Sequence, residues 1–101
     1  MNDNSKKCFT ELTKICILYS NIAKISMDES LNNVLSTDTG KSIYNNNKIT
    51  MEKHDKDILK DILQELKNNG TIDKDYTDED IDNVISDCGI KGFNIFTNEE
   101  V

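Results

Sequence analysis

Apolar residues in this chain return at helical steps between strong capping signals, and no proline interrupts the pattern. Over residues 6–24, Phe9, Leu12, Ile15, Cys16, Leu18, Tyr19 and Ile22 recur at three- and four-residue intervals. A period of about 3.6 residues puts such positions on one face of a helix. Ile17 and Ile25 broaden that face, so the helix is expected to be buried on more than one side. Ser26-Met27-Asp28-Glu29 is a capping box, with Ser26 at the N-cap and Glu29 three residues on. A second helix should run to about Leu35 and bury Leu31, Val34 and Leu35. Ser36-Thr37-Asp38-Thr39-Gly40 reads as a turn or a fresh cap, with a short helical turn over residues 41–45 carrying Ile43 and Tyr44. The Asn45-Asn46-Asn47 triplet reads as a loop.

Thr50 is the expected cap of a helix over residues 51–67, with Ile58, Leu59, Ile62, Leu63 and Leu66 as its inner stripe. Asp57, Lys60 and Asp61 offer weak local pairing on its outer face. Asn68-Asn69-Gly70 stops it, because Asn and Gly tolerate the left-handed backbone that ends helices. Thr77-Asp78-Glu79-Asp80 starts the last helix, with acids in the first turn, where the helix dipole favours them. Ile81, Val84, Ile85 and Cys88 face inward, and Gly89 is the expected end. Ile72 and the Phe93–Phe96 segment, in which Phe93-Asn94-Ile95 alternates, are candidates for a minor strand pair. The expected fold is mainly α: a bundle of four to five helices, at most a minor two-stranded β element near the C-terminus. Residues 1–5 read as a disordered tail and 6–101 as a single domain, monomeric or homodimeric.

The charge is unevenly spread. All twelve basic residues are lysine. Residues 1–70 hold ten acids and ten lysines, whereas residues 71–101 hold nine acids against Lys74 and Lys91, so the net charge of −7 lies in the last third. Direct nucleic-acid binding needs a basic face to neutralise phosphates, which this balance disfavours. The longest uncharged stretch, residues 15–23, is nine residues, against the roughly 20 of a membrane span. Lys6-Lys7 ahead of an apolar stretch mimics a leader, but Glu11 and Lys14 interrupt it and an amphipathic helix is expected. Cys8, Cys16 and Cys88 are odd in number and without framework spacing. They read as free thiols of a reducing compartment, and the cytoplasm is the expected location.

Motifs for chemistry are sparse. Thr39-Gly40-Lys41-Ser42 matches the end of a phosphate-binding loop, but Leu35 stands where its first glycine belongs and the preceding residues read as helix, not strand. A calcium loop starting at Asp73 would put Asp78 and Val84 where glycine and a bidentate glutamate are required. One starting at Asp87 would put Gly89, Lys91 and Asn98 at ligand positions. His54, the only histidine, is expected to be solvated. Paired with Cys8 or Cys16 it lacks an orienting partner. No cofactor or metal site is expected, and an enzyme is not.

The stretch Tyr76-Thr77-Asp78-Glu79-Asp80-Ile81-Asp82-Asn83-Val84-Ile85 resembles the entering helix of a calmodulin-type EF-hand, and residues 93–101 resemble its short strand and exiting helix start. The resemblance covers about a quarter of the chain. It implies a helical light-chain-like module that grips a partner helix. The calcium-ligand positions do not match, so it implies no calcium.

The leading expectation is a non-enzymatic protein-binding module. Asp73, Asp75, Asp78, Glu79, Asp80 and Asp82 fall within ten residues, a spread of about 15–20 Å in helix and turn. Such a surface suits an acidic inhibitor or decoy, a nucleic-acid mimic of the phage anti-defence type. Its partner would be a basic protein, for instance one that handles nucleic acid. The alternative is the helical adaptor, which would use apolar faces instead of acids.

Overall fold

A computed structural model describes the backbone of residues 3–91 and side chains from Cys8 to Cys88. Six helices and no strand occur among the described residues: α1 Asp3–Ala23, α2 Met27–Leu35, α3 Asp38–Tyr44, α4 Lys48–Met51, α5 Asp55–Asn68 and α6 Asp78–Lys91. The fold is mainly α, with one helix more than the four to five expected. Ile72 lies in the irregular connector before α6 and packs against the core. Phe93, Ile95 and Phe96, the other half of the expected strand pair, lie outside the described residues.

The long helix α1 packs against α2, α3, α5 and α6. This explains its wide apolar face: Leu12, Ile15, Cys16, Leu18 and Tyr19 are all buried. Phe9, expected in the stripe, is 65% exposed, and Cys8 points inward in its place. Positions 8, 12, 15 and 19 share one helix face, and the Cys8 thiol donates to the carbonyl oxygens of Ile43 and Tyr44 on α3. The helix begins at Asp3, drawing residues 3–5 out of the expected tail.

It ends at Lys24, whose φ of 60° is left-handed. The Ile25 amide then returns to the Ser20 carbonyl at 3.0 Å, satisfying an orphan acceptor of the last turn. Ser26 caps α2 as expected, accepting from the Glu29 amide at 3.2 Å. Val34 is fully buried, but Leu31 is 40% exposed and Ser30 takes the inner position. The Ser30 hydroxyl donates to the Cys16 carbonyl at 2.6 Å, so a small polar residue seats α2 on α1.

The asparagine triplet is a sequence of helix ends. Asn45 closes α3, Asn46 has a left-handed φ of 58°, and Asn47 caps α4 by accepting from the Thr50 amide at 3.1 Å. Thr50 is therefore capped and is not itself the cap. The helix expected over residues 51–67 is split, with Glu52–His54 intervening and α5 starting at Asp55.

Ile58, Leu59, Ile62, Leu63 and Leu66 form the buried stripe of α5 as expected. Gly70, with φ of 82°, ends it, and the Thr71 amide bonds back to the Leu66 carbonyl at 2.9 Å. Thr77 and Asp80 make a reciprocal cap on α6: the Asp80 amide donates to Thr77 Oγ1 at 3.1 Å, and the Thr77 amide donates to Asp80 Oδ2 at 3.0 Å. Ile81, Val84 and Cys88 are buried and Ile85 is half-buried. The helix passes through Gly89, the expected stop, to Lys91. A calcium loop starting at Asp87 would have to leave the helix where the chain remains helical.

Candidate functional site

The six candidate carboxylates lie at the α5–α6 edge and on the connector before α6, and the fold divides them. Lys56, Lys60 and Lys67 occupy one face of α5 by their spacing. Lys56 pairs with Asp82 at 3.1 Å, Lys60 with Asp78 at 3.1 Å, and Lys67 with Asp75 at 3.0 Å. Lysine numbers rise as aspartate numbers fall, as two antiparallel helices require. The local pairing expected of Lys60 with Asp57 and Asp61 gives way to this row, and Asp61 pairs with Lys53 instead, at 2.6 Å. The three aspartate side chains of the row are 59%, 64% and 84% exposed. Exposed pairs of this kind contribute about 0–1 kcal/mol each.

Asp80 is half-buried and spent on the α6 cap, and the Thr77 amide holds its carboxyl below the usual range. Asp73 and Glu79 are exposed and make no ion pair among the described residues. Lys74, between Asp73 and Asp75, holds its ammonium 5.0 Å from the Tyr76 ring centroid. The acidic third is thus partly met by lysines of the preceding helix, which the tally of charges along the chain does not reveal.

A groove of about 390 Å³ opens on the other side of this connector, between α1, α2 and residues 70–76. Tyr19, Glu29, Asn33, Asp73, Lys74 and Tyr76 line it. The Asn33 side-chain amide donates to the Tyr19 hydroxyl at 3.0 Å. Burial, and then nearby charge, raises both phenols above their ordinary range. Tyr76 and Glu29 act on Tyr19, and Asp80 and Asp73 act on Tyr76.

Two carboxylate sites were not visible in the sequence. Glu65 of α5 accepts the Asp38 amide at 2.6 Å and the Thr39 amide at 3.3 Å, together with the Thr39 hydroxyl. It therefore covers the start of α3, and with it the Thr39-Gly40-Lys41-Ser42 segment. A carboxylate sits where a phosphate-loop reading would put a phosphate. Gly40 has a packing role: a Cβ there would stand 1.9 Å from the Val34 carbonyl oxygen. The second site joins α1 to the start of α5. Lys14 Nζ lies 3.5 Å from Glu11 and 3.1 Å from Asp55. Glu11 Oε2 is buried without a hydrogen-bond partner. Burial first, and then the adjacent Asp55 carboxylate, push Glu11 up to about 7. The i,i+3 spacing of Glu11 and Lys14 was the sole sequence signal, and it could not name Asp55.

Cys8, Cys16 and Cys88 are all buried. Burial pushes the Cys16 thiol up to about 11, which leaves little thiolate for nucleophilic attack at neutral pH. His54 is exposed at the start of α5 and makes no side-chain cap. No group of three or more metal-ligating side chains occurs among the described residues. No described helix is long and apolar enough to cross a membrane. No protein-family model matches the chain, and comparisons with curated proteins and with solved structures find no similar protein.

Proposed function

We propose that this chain is a small non-enzymatic binding module, an acidic inhibitor or decoy whose 73–82 edge docks on a basic protein, with a nucleic-acid-handling protein as the natural target class. The observation that carries this reading is the exposed row of Asp75, Asp78 and Asp82, held by single lysines. Each pair is weak enough for a partner's cations to displace. Asp73 and Glu79, exposed beside them, add to the field that steers a basic partner. The buried thiols of Cys8 and Cys16, outside any disulfide, suit a reducing compartment such as the cytoplasm.

Calorimetric titration of the full chain with polylysine at low salt tests this. Neutralising Asp78, Glu79 and Asp82 together (Asn, Gln, Asn) is expected to weaken binding about tenfold or more. The same change at exposed Asp28, Glu52 and Asp57 should have much less effect. Equal losses in the two variants would overturn the reading, since charge alone and not its placement would then govern binding.

The helical-adaptor reading has its own support. Met27 and Leu31, one turn apart on α2, are 44% and 40% exposed. They offer a small apolar strip to a partner helix, as an EF-hand-like light chain would without calcium. Binding of an amphipathic helical peptide that survives the acid neutralisation and fails in Leu31→Ser would favour it.

A further inference from the structure

We infer that the groove between α1, α2 and the 70–76 connector takes an arginine side chain from the basic partner. This rests on the docking reading above and names where one cation of that partner is held. The groove sits at the lower end of the roughly 300–1,000 Å³ of ligand pockets, so it suits one or two side chains and not a large ligand. Its acidic lining comes from two elements, Glu29 on α2 and Asp73 on the connector, and the half-buried Tyr76 supplies aromatic surface, with Tyr19 buried beneath the groove.

The chain's own cation already marks the place. The Lys74 ammonium lies over the Tyr76 ring at 5.0 Å. Lys74 is exposed, and a contact of this kind is worth about 0.5–1 kcal/mol. An ammonium is compact and strongly hydrated. A guanidinium is planar and more weakly hydrated, stacks on an aromatic face, and forks onto a carboxylate with two parallel hydrogen bonds. Tyr76 and Asp73 together offer that ring and that carboxylate. The chain has no arginine of its own, so an incoming guanidinium meets Lys74 as its internal competitor among the described lining residues. The environment favours a cation: carboxylates act on both phenols, and the phenols stay protonated and neutral.

The experiment compares two peptides of equal length and charge, one alternating glycine with arginine and the other glycine with lysine. Each is titrated into the full chain by calorimetry, with tyrosine ring resonances followed by NMR. The arginine peptide is expected to bind about threefold to tenfold more tightly. The Tyr76 signals should shift, while Tyr44, outside the groove, serves as the unshifted reference. In Asp73→Asn and Tyr76→Leu the arginine preference should vanish while salt-dependent binding of both peptides persists. Asp73 is exposed, so its variant keeps the fold and decides the question should Tyr76→Leu unfold. Salt-dependent binding with no arginine preference in the native chain overturns the groove inference and leaves the docking reading standing. Arginine preference that survives Asp73→Asn also overturns it. Failure of both peptides to bind at low salt overturns the docking reading and the groove with it.

Discussion

Glu65 and the Glu11–Asp55 pair sit between helices of the first two thirds of the chain, where charges balance in number. Asp75, Asp78 and Asp82 sit at the α5–α6 edge, where acids dominate the sequence. In the first region a carboxylate closes a helix end or shares a confined space with another carboxylate and one lysine. In the second, each carboxylate meets one lysine in solvent. The balanced region therefore holds the buried carboxylates, and the acid-rich region, its capping Asp80 aside, holds exposed charges paired one to one with lysines. Net charge along a sequence reports the supply of charge, and helix packing decides what that charge does.

The largest expected effect sharpens the first half of this comparison. Gly40→Ala places a methyl group against the Val34 backbone, which cannot move as a side-chain tip can, and it separates α3 from α2. A loss of about 3 kcal/mol is expected in chemical denaturation, and a loss below about 1 kcal/mol would mean that α3 is not seated this way. Glu65→Ala leaves two amides at the start of α3 without their acceptor and should cost about 2 kcal/mol. Removal of an acid at the exposed row should not come near that figure.

The Glu11 site adds a pH dependence with a definite sign. Its folded value, about 7, stands above the ordinary 4.5, so the folded chain holds this proton more tightly than the unfolded chain. The contribution is present in full below about pH 4.5 and is lost as pH rises through about 7. Allowing for solvent screening, stability should fall by about 1–2 kcal/mol across that window. Glu11→Gln should flatten the dependence and raise Tm near pH 8. An unchanged pH profile in that variant would remove Glu11 from the account. Asp80 works in the opposite sense. Its lowered carboxyl supports α6 above its ordinary range, and that support fades in acid.

The smallest expected effects belong to the acidic row. Asp75→Asn, Asp78→Asn and Asp82→Asn should each change stability by no more than about 0.5 kcal/mol, within a few degrees of Tm. A loss of about 2 kcal/mol in any one of them would move that residue into the structural class and break the contrast.

What could be read in advance follows the reach of each interaction. Ser26, Thr37 and Thr77 cap helices through bonds that close within three residues, so local sequence suffices to find them. The α5 stripe was equally clear because five apolar residues share a face that nothing else disputes. Errors arose where two residues competed for one inward position. Cys8 displaced Phe9 because the Ile43 and Tyr44 carbonyls receive its thiol, and Ser30 displaced Leu31 because Cys16 offers a carbonyl. Those acceptors lie 14 or more residues away. Comparable distances hid Glu65 on the α3 terminus, Asp55 beside Glu11, and the Lys56–Asp82 and Lys60–Asp78 pairs beneath the acidic edge. Of the six candidate carboxylates, the clustering along the chain was legible but their division by the fold was not. Asp80 turned out to be a capping residue, and Asp73 borders a groove that α1 and α2 complete.

The most direct measurement is the slope of log Kd against log salt for polylysine, from about 50 to about 500 mM. It is taken on the native chain, on the Asp78/Glu79/Asp82 neutralised variant and on the Asp28/Glu52/Asp57 control. A steep native slope, retained in the control and flattened in the α6 variant, is the predicted result. Three parallel slopes, or an affinity indifferent to salt, would contradict a docking edge on α6.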